Sequence, residues 1–166
     1  MFNEGWPGEK IDTGLSRLPD NIAHYGPDFL LLLHGANDLL NDPSEATVDH
    51  IVNRTRDMIR VAKSARRDIV VLLANFPPQF IGTPVHRGAG AGLVVGLNAK
   101  LADVALSEGI ILVDLYTPMN AMLKQSISLD GLHPTQQGYA VVASAFLQTI
   151  QRTIATGGVD SEPEWP

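Results

Sequence analysis

Three short apolar runs constrain this chain more than any other feature: Phe29 to Leu33, Ile69 to Leu73 and Ile110 to Leu115. None alternates apolar with polar residues, so each is expected to be a strand covered on both faces. Between them lie segments with apolar residues at helical spacing. Val48, Ile51, Val52, Thr55, Met58, Ile59 and Ala62 form one stripe; Leu93, Leu97, Leu101, Val104 and Ala105 form another, stopped by Gly109. Leu15, Leu18 and Ile22 mark a shorter helix over 12–24 that Pro19 is placed to interrupt, and Tyr139, Val142, Ala143, Phe146 and Ile150 mark a closing one. Asp42-Pro43-Ser44-Glu45 reads as a helix start with Asp42 as cap and Pro43 at the first position. Covered strands alternating with helices require a parallel sheet, because parallel strands are joined only by long crossovers that place helices on the faces. The expected fold class is α/β: a three-layer α/β/α sandwich around a parallel sheet. It is read as one domain over residues 1–156, followed by a polar tail at 157–166.

In open parallel sheets chemistry gathers at the carboxyl ends of the strands. Asp130-Gly131-Leu132-His133-Pro134 follows the third apolar run. Proline favours a helix's first turn, so His133 is expected in an exposed bend at the mouth of the closing helix. Across three residues the Asp130 carboxylate can fold back onto one imidazole nitrogen, leaving the other free to take a proton from a nucleophile. Gly8, in the Trp6-Pro7-Gly8-Glu9 turn, is expected to let a backbone amide approach a ligand. Asn37, just after the first apolar run, offers a neutral side-chain donor. A glycine amide and an asparagine amide facing an acid-held histidine are what stabilising a tetrahedral oxyanion requires.

Several classes of function are excluded or disfavoured. The net charge is −6 with no basic block, so no nucleic-acid partner is expected. There is no cysteine, which removes disulfides and thiolate chemistry, and histidines 24, 34, 50, 86 and 133 lack metal-ligand spacing; no metal and no cofactor are expected. No apolar run approaches the roughly 18 residues of a membrane span. Gly88-Ala89-Gly90-Ala91-Gly92 precedes a helix but follows a long loop, so it reads as a substrate-side loop and not a phosphate loop. Arg54, Arg56, Arg60, Lys63, Arg66 and Arg67 read as a solvated basic face, and His34 as a packing residue.

The blocks together resemble the SGNH (GDSL-type) hydrolases, a family of serine esterases and lipases on a flavodoxin-like sandwich. Asn3-Glu4-Gly5-Trp6-Pro7-Gly8-Glu9 resembles the family's second block, Gly35-Ala36-Asn37-Asp38 its third and Asp130-Gly131-Leu132-His133-Pro134 its fifth. The resemblance implies Asp130 and His133 as catalytic acid and base, Gly8 and Asn37 as the oxyanion hole, Asp38 as a brace for its loop, a small-molecule ester as substrate and no cofactor. The family's first block, Gly-Asp-Ser at the end of strand one, has no counterpart. Serines 16, 44, 64, 107, 126, 128, 144 and 161 include none after Gly-Asp, and Ser128, two residues before Asp130, reads as a cap of the bend. The expectation is an ester hydrolase fold with its first strand and its nucleophile missing. The alternative is an inactive relative that binds esters or carbohydrates. Met1 to Gly5 reads as the end of a strand already in progress. With strands about 4.8 Å apart, loss of strand one would leave a gap of about 10 Å and a bare edge on Phe29 to Leu33. That edge is expected to pair with a second copy or a complementing amino-terminal fragment.

Overall fold

The computed structural model describes residues 1–81, 85 and 87–157. Helix α1 (Ile11–Tyr25) leads into strand β1 (Phe29–Leu32), the short helix α2 (Ala36–Asn41) and the long helix α3 (Glu45–Ala65). Strand β2 (Val70–Ala74), helix α4 (Ala91–Glu108) and strand β3 (Ile111–Val113) follow, then α5 (Tyr116–Ala121), α6 (Leu123–Ser126) and α7 (Gln136–Ala155). The strands are parallel in the order β1-β2-β3, with Leu31 beside Leu72 and Leu72 beside Ile111.

Alternate strand residues feed two cores. Leu32, Val71 and Leu73 pack with Ile11, Leu39, Ile51, Ile59, Leu97 and Leu101, which places α1 to α4 on one face. Leu72, Ala74 and Val113 pack with Met119, Ile127 and Phe146 from the α5 to α7 side. The expected three-layer α/β/α sandwich is present, and the unbroken apolar runs are its doubly covered middle layer.

Several local readings differ. Met1 to Pro7 forms no strand; instead Phe2 stacks on Tyr25 with ring centroids 4.3 Å apart, and Trp6 lies over Arg17. The segment's backbone pairs with no strand among the described residues. Pro19 sits inside α1 without ending it; its missing N–H leaves the Leu15 carbonyl without its usual helical partner. Ser44, not Asp42, caps α3: its hydroxyl accepts from the Thr47 N–H, while Asp42 accepts from the Ser44 and Thr47 hydroxyls. Pro134 precedes the cap of α7, which is Thr135, and is bridged to Ile127. On α7 the buried stripe is Gly138, Phe146, Thr149 and Thr153, while Tyr139 and Ala143 are exposed. α2, α5 and α6 are too short for periodicity to reveal.

The basic face of α3 is offset by acids on its neighbours. Arg60 reaches Glu108 of α4 at 2.7 Å, and Arg66 reaches Asp28 at 2.6 Å. Among the described residues no helix is long and apolar enough to cross a membrane. The expected polar tail at 157–166 begins at Gly157, the last described residue, and otherwise lies outside the described residues, as does His86.

Candidate active site

The bend after α6 is built around one carboxylate. Asp130 Oδ1 accepts from the Ser128 hydroxyl at 2.5 Å, the His133 N–H at 3.0 Å and the Leu132 N–H at 3.1 Å. Its Oδ2 lies 2.6 Å from His133 Nδ1. Burial pushes the Asp130 carboxyl up, but the hydrogen bonds from His133, Ser128 and the two backbone amides outweigh it and hold the group well below the usual carboxylate range. An ionised carboxylate only accepts, so Nδ1 carries the proton and a neutral His133 presents a bare lone pair at Nε2. That nitrogen has no hydrogen-bond partner among the described residues, and the side chain is 55% exposed. Ser128 is thereby committed to Asp130.

The loop after β2 clasps this bend. Phe80 N–H donates to the Gly131 carbonyl at 3.1 Å and Arg87 N–H to the Asp130 carbonyl at 2.6 Å. The loop is closed by Gln79, only 4% exposed, whose side chain accepts from the Ala89 N–H at 2.8 Å. Gly131 has φ +74°, and a Cβ there would run into the Phe80 carbonyl oxygen. Sequence reasoning singled out the loop for its length but missed Gln79. Glutamine is ordinarily a surface residue, so nothing in its local pattern marks it as a clasp.

A second cluster gathers after β1 and before α1. Gly8 has φ +78°, is exposed, and its N–H donates to nothing among the described residues. A Cβ there would meet nothing within 4 Å, and the positive φ by itself favours glycine. Asn37 lies in the first turn of α2, and its Nδ2 donates to the Glu9 carbonyl at 3.0 Å, tying it to the Gly8 turn. Asp38, 8% exposed, accepts from the Ile11 N–H at 3.0 Å and braces the start of α1 against α2. Glu9, Arg17 and His34 join this cluster as well, although the sequence assigned no role to the first two.

Gly8 and Asn37 are thus brought together, and so are Asp130 and His133. Among the described residues no hydrogen bond joins one pair to the other. What they share is the sheet edge, since the β1–α2 turn, the loop after β2 and the segment after β3 all leave the carboxyl ends of the strands. Among the described residues no three His, Cys, Asp or Glu side chains group as metal ligands.

An α/β/α sandwich carrying a carboxylate-held histidine at the carboxyl edge of its sheet has the design of a hydrolase. The chain belongs to the GDSL-like lipase/acylhydrolase family, whose model matches residues 1–141. It is similar to a lipase/acylhydrolase from Enterococcus faecalis, 24% identical with a TM-score of 0.75 over 90% of this chain and 74% of that one. A GDSL-like lipase from Bacteroides thetaiotaomicron is 24% identical, with a TM-score of 0.73 over 87% of this chain and 72% of that one. A serine-to-alanine mutant of an acetyl esterase, solved with an acetate ion, is 15% identical with a TM-score of 0.76, covering 93% of this chain and 72% of that one. At these identities the structural likeness establishes the fold. No curated protein sequence matches the chain.

Proposed function

We propose that this chain carries the base and oxyanion halves of a serine ester hydrolase, and that the attacking serine is none of its eight. Asp130 holds and orients His133. In a protein carrying the serine, His133 Nε2 takes the hydroxyl proton as Oγ attacks the ester carbonyl. The Gly8 N–H and the Asn37 Nδ2–H not bonded to Glu9 would stabilise the charge on the carbonyl oxygen. His133 then passes its proton to the departing alkoxide. Water, deprotonated by the same nitrogen, releases the acid from the acyl-serine. One observation carries this reading: the 2.6 Å contact between Asp130 and His133 Nδ1, with Nε2 left without a partner among the described residues. Small acyl esters are the favoured substrates, in keeping with the acetyl esterase and the Clostridium thermocellum family 3 carbohydrate esterase among the structural neighbours.

A second reading, an inactive relative that binds esters or carbohydrates, is favoured by the serines themselves. Ser128 is spent on Asp130 and Ser126 is fully buried. A fluorophosphonate probe and an acetate titration followed by NMR examine both readings. The expected result is no covalent labelling, together with acetate-dependent shifts at Gly8 N–H, Asn37 Nδ2 and His133 that are lost in Asn37→Ala. Stoichiometric labelling of a serine would refute the assignment of the nucleophile. An acetate response confined to other surfaces would refute the site. The outer edge of β1, unpaired among the described residues, is proposed to take a strand from a second copy or a complementing fragment.

A further inference from the structure

The Glu9 carboxylate has no part in the chemistry above, yet it is nearly buried in a turn whose other residues face solvent. Its side chain is 5% exposed, against an exposed Gly8 and a Trp6 that is 62% exposed. Both oxygens are occupied: Oε1 accepts from Arg17 Nε at 2.6 Å, and Oε2 from Arg17 Nη2 at 2.9 Å. His34 Nε2 lies 3.1 Å from Oε2, and since a carboxylate only accepts, that nitrogen carries the proton. Hydrogen bonding from Arg17 holds Glu9 below the usual carboxylate range against its burial, with His34 adding to the effect. The cluster is also built for fit. A Cβ on Gly14 of α1 would collide with the His34 ring, so the glycine makes room for it. Arg17 continues to the Glu4 carbonyl and lies 4.7 Å from the centre of the Trp6 ring, gripping the turn from its other side.

A buried ion pair is a poor source of net stability, because desolvation offsets most of the attraction; an apolar side chain would fill this space at least as well. What the charge does supply is direction. The Glu9 backbone accepts one Asn37 Nδ2 proton through its carbonyl and closes the turn through its N–H, which donates to the Trp6 carbonyl at 3.2 Å. Gly8 lies inside the turn that the second of these bonds closes. We propose that Glu9, clamped by Arg17 and His34, is a positioning residue that sets the direction of the Gly8 and Asn37 donors. This rests on the oxyanion reading of those donors.

The test is 15N NMR on the full chain. In the wild-type protein without ligand, the Asn37 side-chain proton that bonds the Glu9 carbonyl should be shifted from the free-amide position and protected from exchange. Glu9→Gln keeps the shape and removes the charge. It is expected to move the bonded Asn37 amide proton toward the free-amide position and speed its exchange, shift the Gly8 N–H and weaken acetate binding at those two donors about tenfold, the scale of one lost charge-assisted hydrogen bond. The sheet amides and the His133 ring should stay where they were. Arg17→Lys, which keeps the charge and loses the two-point grip, should recover part of the effect. If Glu9→Gln unfolds, His34→Ala leaves the Arg17 contact intact and should still move the Asn37 amide. An unchanged Asn37 amide in a folded variant overturns the proposal. Should the wild type bind no acetate, the oxyanion reading falls, while the ligand-free Asn37 signature still decides whether Glu9 orients it.

Discussion

Two glycine-to-alanine substitutions separate backbone strain from crowding in this fold, and both touch the proposed site. Gly8 and Gly131 share a left-handed backbone, with φ +78° and +74°. Forcing alanine into that region costs about 1–2 kcal/mol, offset by about 0.4–1 kcal/mol from stiffening the unfolded chain. Strain alone should therefore cost each variant about 1 kcal/mol. At Gly8 nothing lies within 4 Å of the added methyl, so the account ends there. At Gly131 the methyl meets the Phe80 carbonyl, which is backbone and cannot rotate away. Overpacking of this kind adds about 1–3 kcal/mol. Gly131→Ala should therefore be less stable than Gly8→Ala by about 2 kcal/mol, or about 1 M in urea midpoint at a slope of about 2 kcal/mol per M. Relief requires the loop after β2 to back away from the bend, so Gly131→Ala should also speed exchange of the Arg87 N–H that donates to Asp130. Urea melts and hydrogen exchange read both effects. Equal midpoints for the two variants would refute the claim that the loop is seated on the Asp130–His133 bend.

Three further outcomes are expected. Because the folded Asp130 carboxyl lies below its unfolded value, its contribution is complete above about pH 4–5 and is lost as pH falls through the folded value. Asp130→Asn should therefore cost about 2 kcal/mol at pH 7, with the gap to wild type closing in strong acid; urea melts from pH 7 to 2 check this, and a constant gap would contradict it. The Val70 N–H donates to the Asp28 carbonyl, so the polar groups of Phe29 and Leu31 face outward from β1. Light scattering should find the purified chain associated and Leu31→Pro less so, whereas a stable wild-type monomer would sink the edge-pairing proposal. Ser44→Ala should destabilise by about 1 kcal/mol through loss of the α3 cap, and by more than Asp42→Ala, in thermal melts.

The chemistry of the bend was legible because its partners are near in sequence. Asp130 and His133 are three residues apart, so a turn suffices to bring them together and local spacing announces it. Asn37 and Gly8 could be named from strand-end position and turn composition, but not the bond that links them, since Asn37 reaches Glu9 across 28 residues. Glu9, Arg17 and Gln79 were invisible for the same reason: charged or amide side chains look like surface until folding buries them.

What the sequence determined by itself was the layering. Runs of apolar residues with no polar alternation have no stable placement except between two covering layers, whatever the details of the turns. Tertiary structure alone decided which polar side chains would lose water and therefore had to find partners. It folded the amino-terminal segment along α1, where Phe2 meets Tyr25 and Trp6 meets Arg17, instead of into the sheet. It also seated the loop after β2 on the bend. Those outcomes depend on distances between residues far apart in the chain, which the order of residues does not contain until the sheet has formed.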